Sequence, residues 1–256
     1  MSPRSIIFAG ILTGLTACTH SNGPSLPAGP QQHSTARPIV VLLYDGFTAL
    51  DAVGPLQALG LLEDVRIITV AKERGPVVSD NGIELTAERA LHEVDSAYIL
   101  LVPGGLVETL QTAQDTAVQH WIQRIDRTTT WTSSVCTGAW ILAASGVLKD
   151  RPASTHWYGA EELERLGARY DPARVVVNGK YITSAGVSAG MDMGLTLVRL
   201  IAGDEYAKAV QLGLHYDPSP PMDHGSPEKC DSATVDMMRS MYDHALREAG
   251  LLKTKE

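Results

Sequence analysis

Thr129–Leu148 reads TTWTSSVCTGAWILAASGVL, and its character changes at Cys136. TTWTSSV is β-branched, aromatic and polar, a composition that suits a pleated strand. GAWILAASGVL is an apolar run with helix-like spacing, so a helix follows almost at once. Cys136 lies at the carboxyl end of the strand, and Gly138, two residues on, permits a tight turn. A thiol there faces the amino end of a helix, whose dipole and free N–H groups favour thiolate. The layout mirrors a nucleophile elbow with sulfur in place of oxygen, the alternative being a buried structural cysteine.

The same alternation runs outward from this joint. IVVLLYD (39–45), VRIITVA (65–71) and AYILLVPGG (97–105) read as buried strands. TALDAVGPLQALGLL (48–62), TAVQHWIQRID (116–126) and YGAEELERLG (158–167) have helical spacing. ASTHW (153–157) reads as a short strand, and RVVVNGKYITSA (174–185) as a hairpin turning at its Asn-Gly. MDMGLTLVRLIAG (191–203) is a helix apolar on most sides. The closing helix, before Gly250, is expected to bury Val235, Met238, Met241 and Ala245. Strands alternating with helices predict an α/β fold with a mostly parallel sheet covered on both faces. Sites in such folds form outside the carboxyl ends of the strands.

The chain has 256 residues, 44% of them hydrophobic, enough for a sizeable core. Its net charge of -8 and lack of a basic run argue against nucleic acid as a partner. Three cysteines, Cys18, Cys136 and Cys230, make no disulfide framework. If Cys136 is a nucleophile, it must lie too far from Cys230 to bridge. No His/Cys spacing resembles a metal site, and no cofactor or metal is expected.

The amino-terminal residues are set apart. MSPRS carries Arg4 and leads into the short apolar IIFAGILTGL, the pattern of a secretory signal. It ends in Leu15–Cys18, LTAC, which resembles the bacterial lipobox. Residues 1–18 are therefore expected to be a lipoprotein signal peptide, with Cys18 lipidated and the exported protein anchored to a membrane. Thr19 in place of an aspartate tilts the expectation from the periplasmic face of the inner membrane to the outer membrane. Residues 19–37 are rich in Pro, Gly, Ser and Gln and read as a flexible tether with a reach of about 25 Å. The folded domain is expected over residues 38–256.

Two features share the sheet edge with Cys136. Val102–Gly105, VPGG, ends a strand, and its glycines let N–H groups approach a ligand. With the Thr137 N–H they suit an oxyanion site. Asp51 follows the first strand, where it can carry a proton near the thiol or, as Thr48-x-x-Asp51, close a capping box.

These pieces resemble the PfpI/DJ-one superfamily, whose fold is a flavodoxin-like three-layer sandwich also seen in class I glutamine amidotransferases. The matching stretches are LDAVGP, LVPGG, SVCTGAWILAASGVLKDRPASTHW, TSAGVSAGMDMGLTL and QLGLHYDPSPPMDHGSPE. The last is similar to the isonitrile hydratase branch. The resemblance implies that Cys136 is the elbow nucleophile and Asp51 the acidic group hydrogen-bonded to it. It implies Gly105 and Thr137 as backbone donors and a homodimer with the site near the subunit interface. His156, in STHW, matches a histidine near the cysteine in other branches, or else is a core histidine at one remove from the thiol. Peptidase-like members carry His directly after the cysteine. Thr137 stands there instead and cannot act as a base at neutral pH.

GVSAG (186–190) matches the serine-hydrolase G-x-S-x-G, with Asp217 and His224 following, but comes too late in the chain for a further strand to place the acid. Asp192 reads as a carboxylate in the first turn of a helix. The expected activity is addition of water to an isonitrile or similar small electrophile, giving an N-substituted formamide. A non-catalytic small-molecule module of the same fold and a thiol-dependent glyoxalase-like activity are the alternatives.

Overall fold

The computed structural model describes residues 36–252. The signal segment, Cys18 and nearly all of the tether lie outside the described residues. In chain order the elements are β1 (Arg37–Leu42), α1 (Ala49–Leu59), β2 (Val65–Ala71), β3 (Gly75–Val78), β4 (Glu84–Ala87), β5 (Arg89–Ala90), β6 (Ile99–Val102), α2 (Val107–Gln114) and α3 (Thr116–Asp126). Then come β7 (Trp131–Val135), α4 (Gly138–Ala144), β8 (Pro152–Ala153), α5 (Ala160–Arg165), β9 (Arg169–Tyr170), β10 (Val175–Asn178), β11 (Tyr181–Ser184), α6 (Ala189–Ala202), α7 (Asp204–Gly213) and α8 (Ser232–Glu248).

The continuous apolar runs become strands buried on both faces, because consecutive side chains point to opposite sides of a sheet. In β1, Val40 and Leu42 enter one core and Ile39 and Val41 the other. The sheet has seven strands in the order β10-β11-β7-β6-β1-β2-β5. Every pairing in it is parallel except β10 with β11. Trp121, Ile125 and Trp140 of α3 and α4 fill one face. Ala52 and Leu59 of α1 and Met193 and Leu197 of α6 fill the other. This is the flavodoxin-like α/β sandwich.

Several local expectations shift. The hairpin turns at Gly179-Lys180, not at Asn-Gly, because Asn178 pairs with Tyr181 as the last ladder residue. Gly179 has φ +61, which suits the first turn position of a II′ hairpin. Of ASTHW only Ala153 is in a strand, the end of β8. Beyond that, Ser154 N–H is drawn to Thr183 Oγ1 (2.7 Å) and the Thr155 hydroxyl to the Cys136 carbonyl (3.0 Å). In α8 Val235, Met238 and Ala245 are partly buried as expected, alongside Tyr242 and Leu246, while Met241 is 57% exposed. The β3–β4 hairpin and helices α2 and α7 had no sequence signal: the cap positions are Leu106 for α2 and Gly203 for α7, neither with a side-chain cap bond.

Two strand ends and the elbow meet at backbone distance. A Cβ on Gly138 would stand 2.2 Å from the Val102 carbonyl oxygen, and one on Gly104 2.6 Å from the Thr137 nitrogen. Gly138→Ala is therefore expected to cost about 2 kcal/mol or more in urea unfolding. Gly213→Ala, where a Cβ meets nothing within 4 Å, should be near neutral. Equal effects would show that the close approach is not built into the fold.

Candidate active site

Cys136 follows the last residue of β7 with φ +57, a left-handed conformation rare outside glycine. The surroundings hold it there. Its N–H is shared between the Ser184 and Ala185 carbonyls, each at 3.1 Å, and its own carbonyl accepts from Thr155. β6 and β7 end together, Val102 pairing with Ser134, so the Gly104–Gly105 loop runs beside the elbow.

Asp51 is fully buried at the start of α1. It is not a cap. The Thr48 N–H donates to the Gly104 carbonyl at 2.7 Å, and the Thr48 hydroxyl to Asp80 Oδ2 at 2.7 Å. Asp51 Oδ2 accepts the Gly104 N–H at 2.9 Å. The Gly104 peptide is thus gripped at both ends by the first turn of α1. Asp51 Oδ1 is buried without a conventional hydrogen-bond partner. Apart from Gly104, the group that stabilises the carboxylate is the Cys136 thiol. Burial dominates, and with the Asp80 charge raises the Asp51 pKa from 3.8 to about 7.

Burial also pushes the Cys136 thiol far up, and the Asp51 charge adds to this. The N–H groups of Thr137 and Val187 and the Thr137 hydroxyl pull the other way without prevailing. The expectation of a thiolate at rest is thereby corrected: desolvation outweighs the short helix α4. The two groups titrate as a pair. Above about pH 7 the pair carries a single negative charge, which a proton moving between oxygen and sulfur can place on either atom.

At the thiol, the Thr137 N–H and hydroxyl favour the charged form. Gly105 does not donate to it in this structure. Its N–H goes to Thr137 Oγ1 at 3.1 Å, and its carbonyl accepts that same hydroxyl. The second backbone donor near the sulfur is instead Val187, a residue without a sequence signal of its own.

His156 stands at one remove. Its Nδ1 accepts the Tyr158 N–H at 3.3 Å, and its ring packs edge-on to Tyr242 at 5.7 Å. Burial lowers its pKa to about 4, so it is neutral at physiological pH. Tyr242, missed in the sequence because Met241 was taken as the inward residue of that turn, lies close enough for a charged Cys136 to raise its phenol pKa further. Tyr44, half-buried, closes the other side, donating to the Pro103 carbonyl at 2.8 Å.

The serine motif builds packing. A Cβ on Gly190 would lie 3.2 Å from Pro55 and Val135, and exposed Ser188 accepts from Arg174 at 3.2 Å. Asp192 pairs with Arg174 and accepts the Tyr216 hydroxyl at 3.1 Å. Cys230, its thiol on the His224 carbonyl, and Cys136 are both free.

Comparison with known proteins shows the family and the fold. The DJ-1/PfpI family pattern matches residues 37–200. The chain is 36% identical over 207 residues to an isonitrile hydratase of Pseudomonas putida, covering 80% of this chain and 90% of that protein. It is 28% identical over 179 residues to the HTH-type transcriptional regulator CdhR of Pseudomonas aeruginosa, covering 66% of this chain and 52% of the regulator. The crystal structure of a ThiJ/PfpI family protein from Pseudomonas syringae superimposes with a TM-score of 0.81 at 32% identity, covering 89% of this chain and 97% of that one.

The raised Asp51 pKa has a thermodynamic consequence. Between 3.8 and about 7 the folded state holds a proton that the unfolded state has released, so stability falls as pH rises through this window. The loss from this group alone is on the order of 4 kcal/mol. Asp51→Asn keeps the acceptor for Gly104 and removes the charge. The variant should match the wild type near pH 4 and exceed it in stability at pH 8. Urea titrations at both pH values check this, and a constant difference between them would refute the buried-charge account.

Proposed function

The chain belongs to the DJ-1/PfpI family, and we propose that within it the protein is a cysteine-dependent hydratase that adds water to an isonitrile. The observation that carries this reading is the fully buried Asp51 carboxyl, poised near pH 7 against the Cys136 thiol. The thiol has no histidine hydrogen-bonded to it. A proton carrier with a pKa near the working pH is the most effective kind.

In the mechanism, Cys136 sulfur attacks the terminal isonitrile carbon as its proton passes to Asp51. The carboxyl returns that proton to the same carbon, giving a thioimidate, R–N=CH–S–Cys136. The N–H groups of Thr137 and Val187 hold the charge on sulfur during transfer. Water then adds to the thioimidate carbon, giving one proton to nitrogen through Asp51. The tetrahedral species expels sulfur, its hydroxyl proton returns to the Asp51–Cys136 pair, and R–NH–CHO departs. The sum is one isonitrile and one water consumed per formamide.

The active form is the singly charged pair. For a small isonitrile, kcat/KM should rise with pH and level off above about 7. Cys136→Ala should abolish formamide production, and Asp51→Asn should lower turnover roughly 100-fold or more while the protein stays folded. Formamide release followed by NMR checks all three. Full turnover in Asp51→Asn would remove the proton-carrier role, and no turnover of any isonitrile would remove the hydratase reading.

Cell location and assembly belong to the same proposal. Cys18 is proposed as a lipid attachment site that anchors the exported domain, by way of the 19–37 tether, to a membrane, with the outer membrane favoured. Cys18→Ser should move the protein from the membrane fraction to the soluble one and remove the acyl mass. A second copy is the proposed partner. The helix that buries Asp51 exposes Leu50 (44%) and Val53 (42%), so a copy covering them would pack beside the site.

A further inference from the structure

A cleft of about 410 Å³ opens beside the elbow, within the size range of small-molecule sites. It borders the residue that carries the thiol. Two lining residues bond the Cys136 main chain, the Ala185 carbonyl at its N–H and the Thr155 hydroxyl at its C=O, and the N–H of a third, Val187, favours charge on its sulfur. The hydration mechanism leaves this space unused.

The walls carry His156, Trp157 and Tyr170. His156 is held neutral by burial. Flat apolar rings on several sides accept another ring by stacking or edge contact. The charges are placed to discourage an anion. Arg174, on the rim, is committed to Asp192 and Ser188. Glu228 stands exposed at the mouth, its pKa lowered, so it is ionised at neutral pH. An isonitrile is linear through R–N≡C, so a carbon held at the sulfur points its substituent straight away from it, and this cleft is the space beside the elbow that can take it.

Resting on the hydratase reading, we propose that this cleft holds the substituent on the isonitrile nitrogen and selects a neutral aromatic group, with Trp157 and Tyr170 as specificity-determining residues. Glu228 rejects substituents of like charge.

The test compares methyl, benzyl and 4-carboxybenzyl isonitrile. Benzyl should exceed methyl in kcat/KM by about 10-fold or more, and the carboxylate should fall about 10-fold below benzyl. Glu228→Gln should recover part of that second loss. Gly225 lines the cleft with an ordinary φ, and a Cβ there meets nothing within 4 Å. Gly225→Leu should therefore fold normally and occupy the space. It and Trp157→Leu should each cut the benzyl-to-methyl ratio about 5-fold or more. A ratio unchanged in both folded variants would overturn the cleft assignment while leaving the hydratase reading intact. Should no isonitrile be hydrated, the hydratase reading fails by itself, and binding of N-benzylformamide followed by NMR decides the cleft. Binding that Gly225→Leu abolishes supports the aromatic site; binding that is absent or unaffected overturns it.

Discussion

The hydrogen bond from the Gly104 N–H to Asp51 Oδ2 joins three parts of the chain that the fold brings to one edge. It ties the end of β6 to the start of α1, and Gly104 also lies against the backbone of the elbow. No side chain fits where Gly104 stands, since a Cβ would meet Thr137 nitrogen at 2.6 Å. With Gly104 so placed, the carboxyl has one strong partner and one oxygen left without a conventional one. A buried polar atom in that state is costly. The remaining neighbour able to relieve it is the Cys136 thiol, so the geometry that buries Asp51 also pairs it with sulfur.

The strain at this edge is held by order elsewhere. Cys136 keeps its positive φ because its N–H, its carbonyl and the following glycine are each fixed by β11, Thr155 and β6. At the opposite end of the sheet, Asp126 takes the Thr132 hydroxyl at 2.7 Å, the Tyr181 hydroxyl at 3.2 Å and the Lys180 ammonium at 3.1 Å. That satisfied network pins α3, β7 and β11 together. One end of β7 is thus locked by a paired carboxylate, while the other presents a carboxyl kept from its preferred charge. Proteins commonly place such locally unfavourable groups at functional sites and compensate elsewhere in the fold.

The alternation of β-branched and helix-forming runs was enough to establish an α/β architecture with a mostly parallel sheet, because strands buried on both faces must be apolar throughout. The strand-to-helix change at Cys136 was enough to place a thiol at a carboxyl edge, and LVPGG and Asp51 to place its neighbours there. The sequence pattern Thr48-x-x-Asp51 left capping and proton transfer open, since both need a carboxylate three residues into a helix. Only the tertiary structure excluded the cap, because Gly104, 53 residues away from Asp51, takes both the carboxylate and the Thr48 N–H. The charge state of Cys136 was likewise beyond local reading: the helix end next to it is visible in the sequence, whereas the burial that outweighs it comes from the packing of distant elements. The outward turn of Met241 in α8 has the same cause. Met241 and Tyr242 are adjacent and both partly apolar, and what turns Tyr242 inward is the aromatic surface of His156, Trp157 and Tyr158, which exists only once the chain has folded.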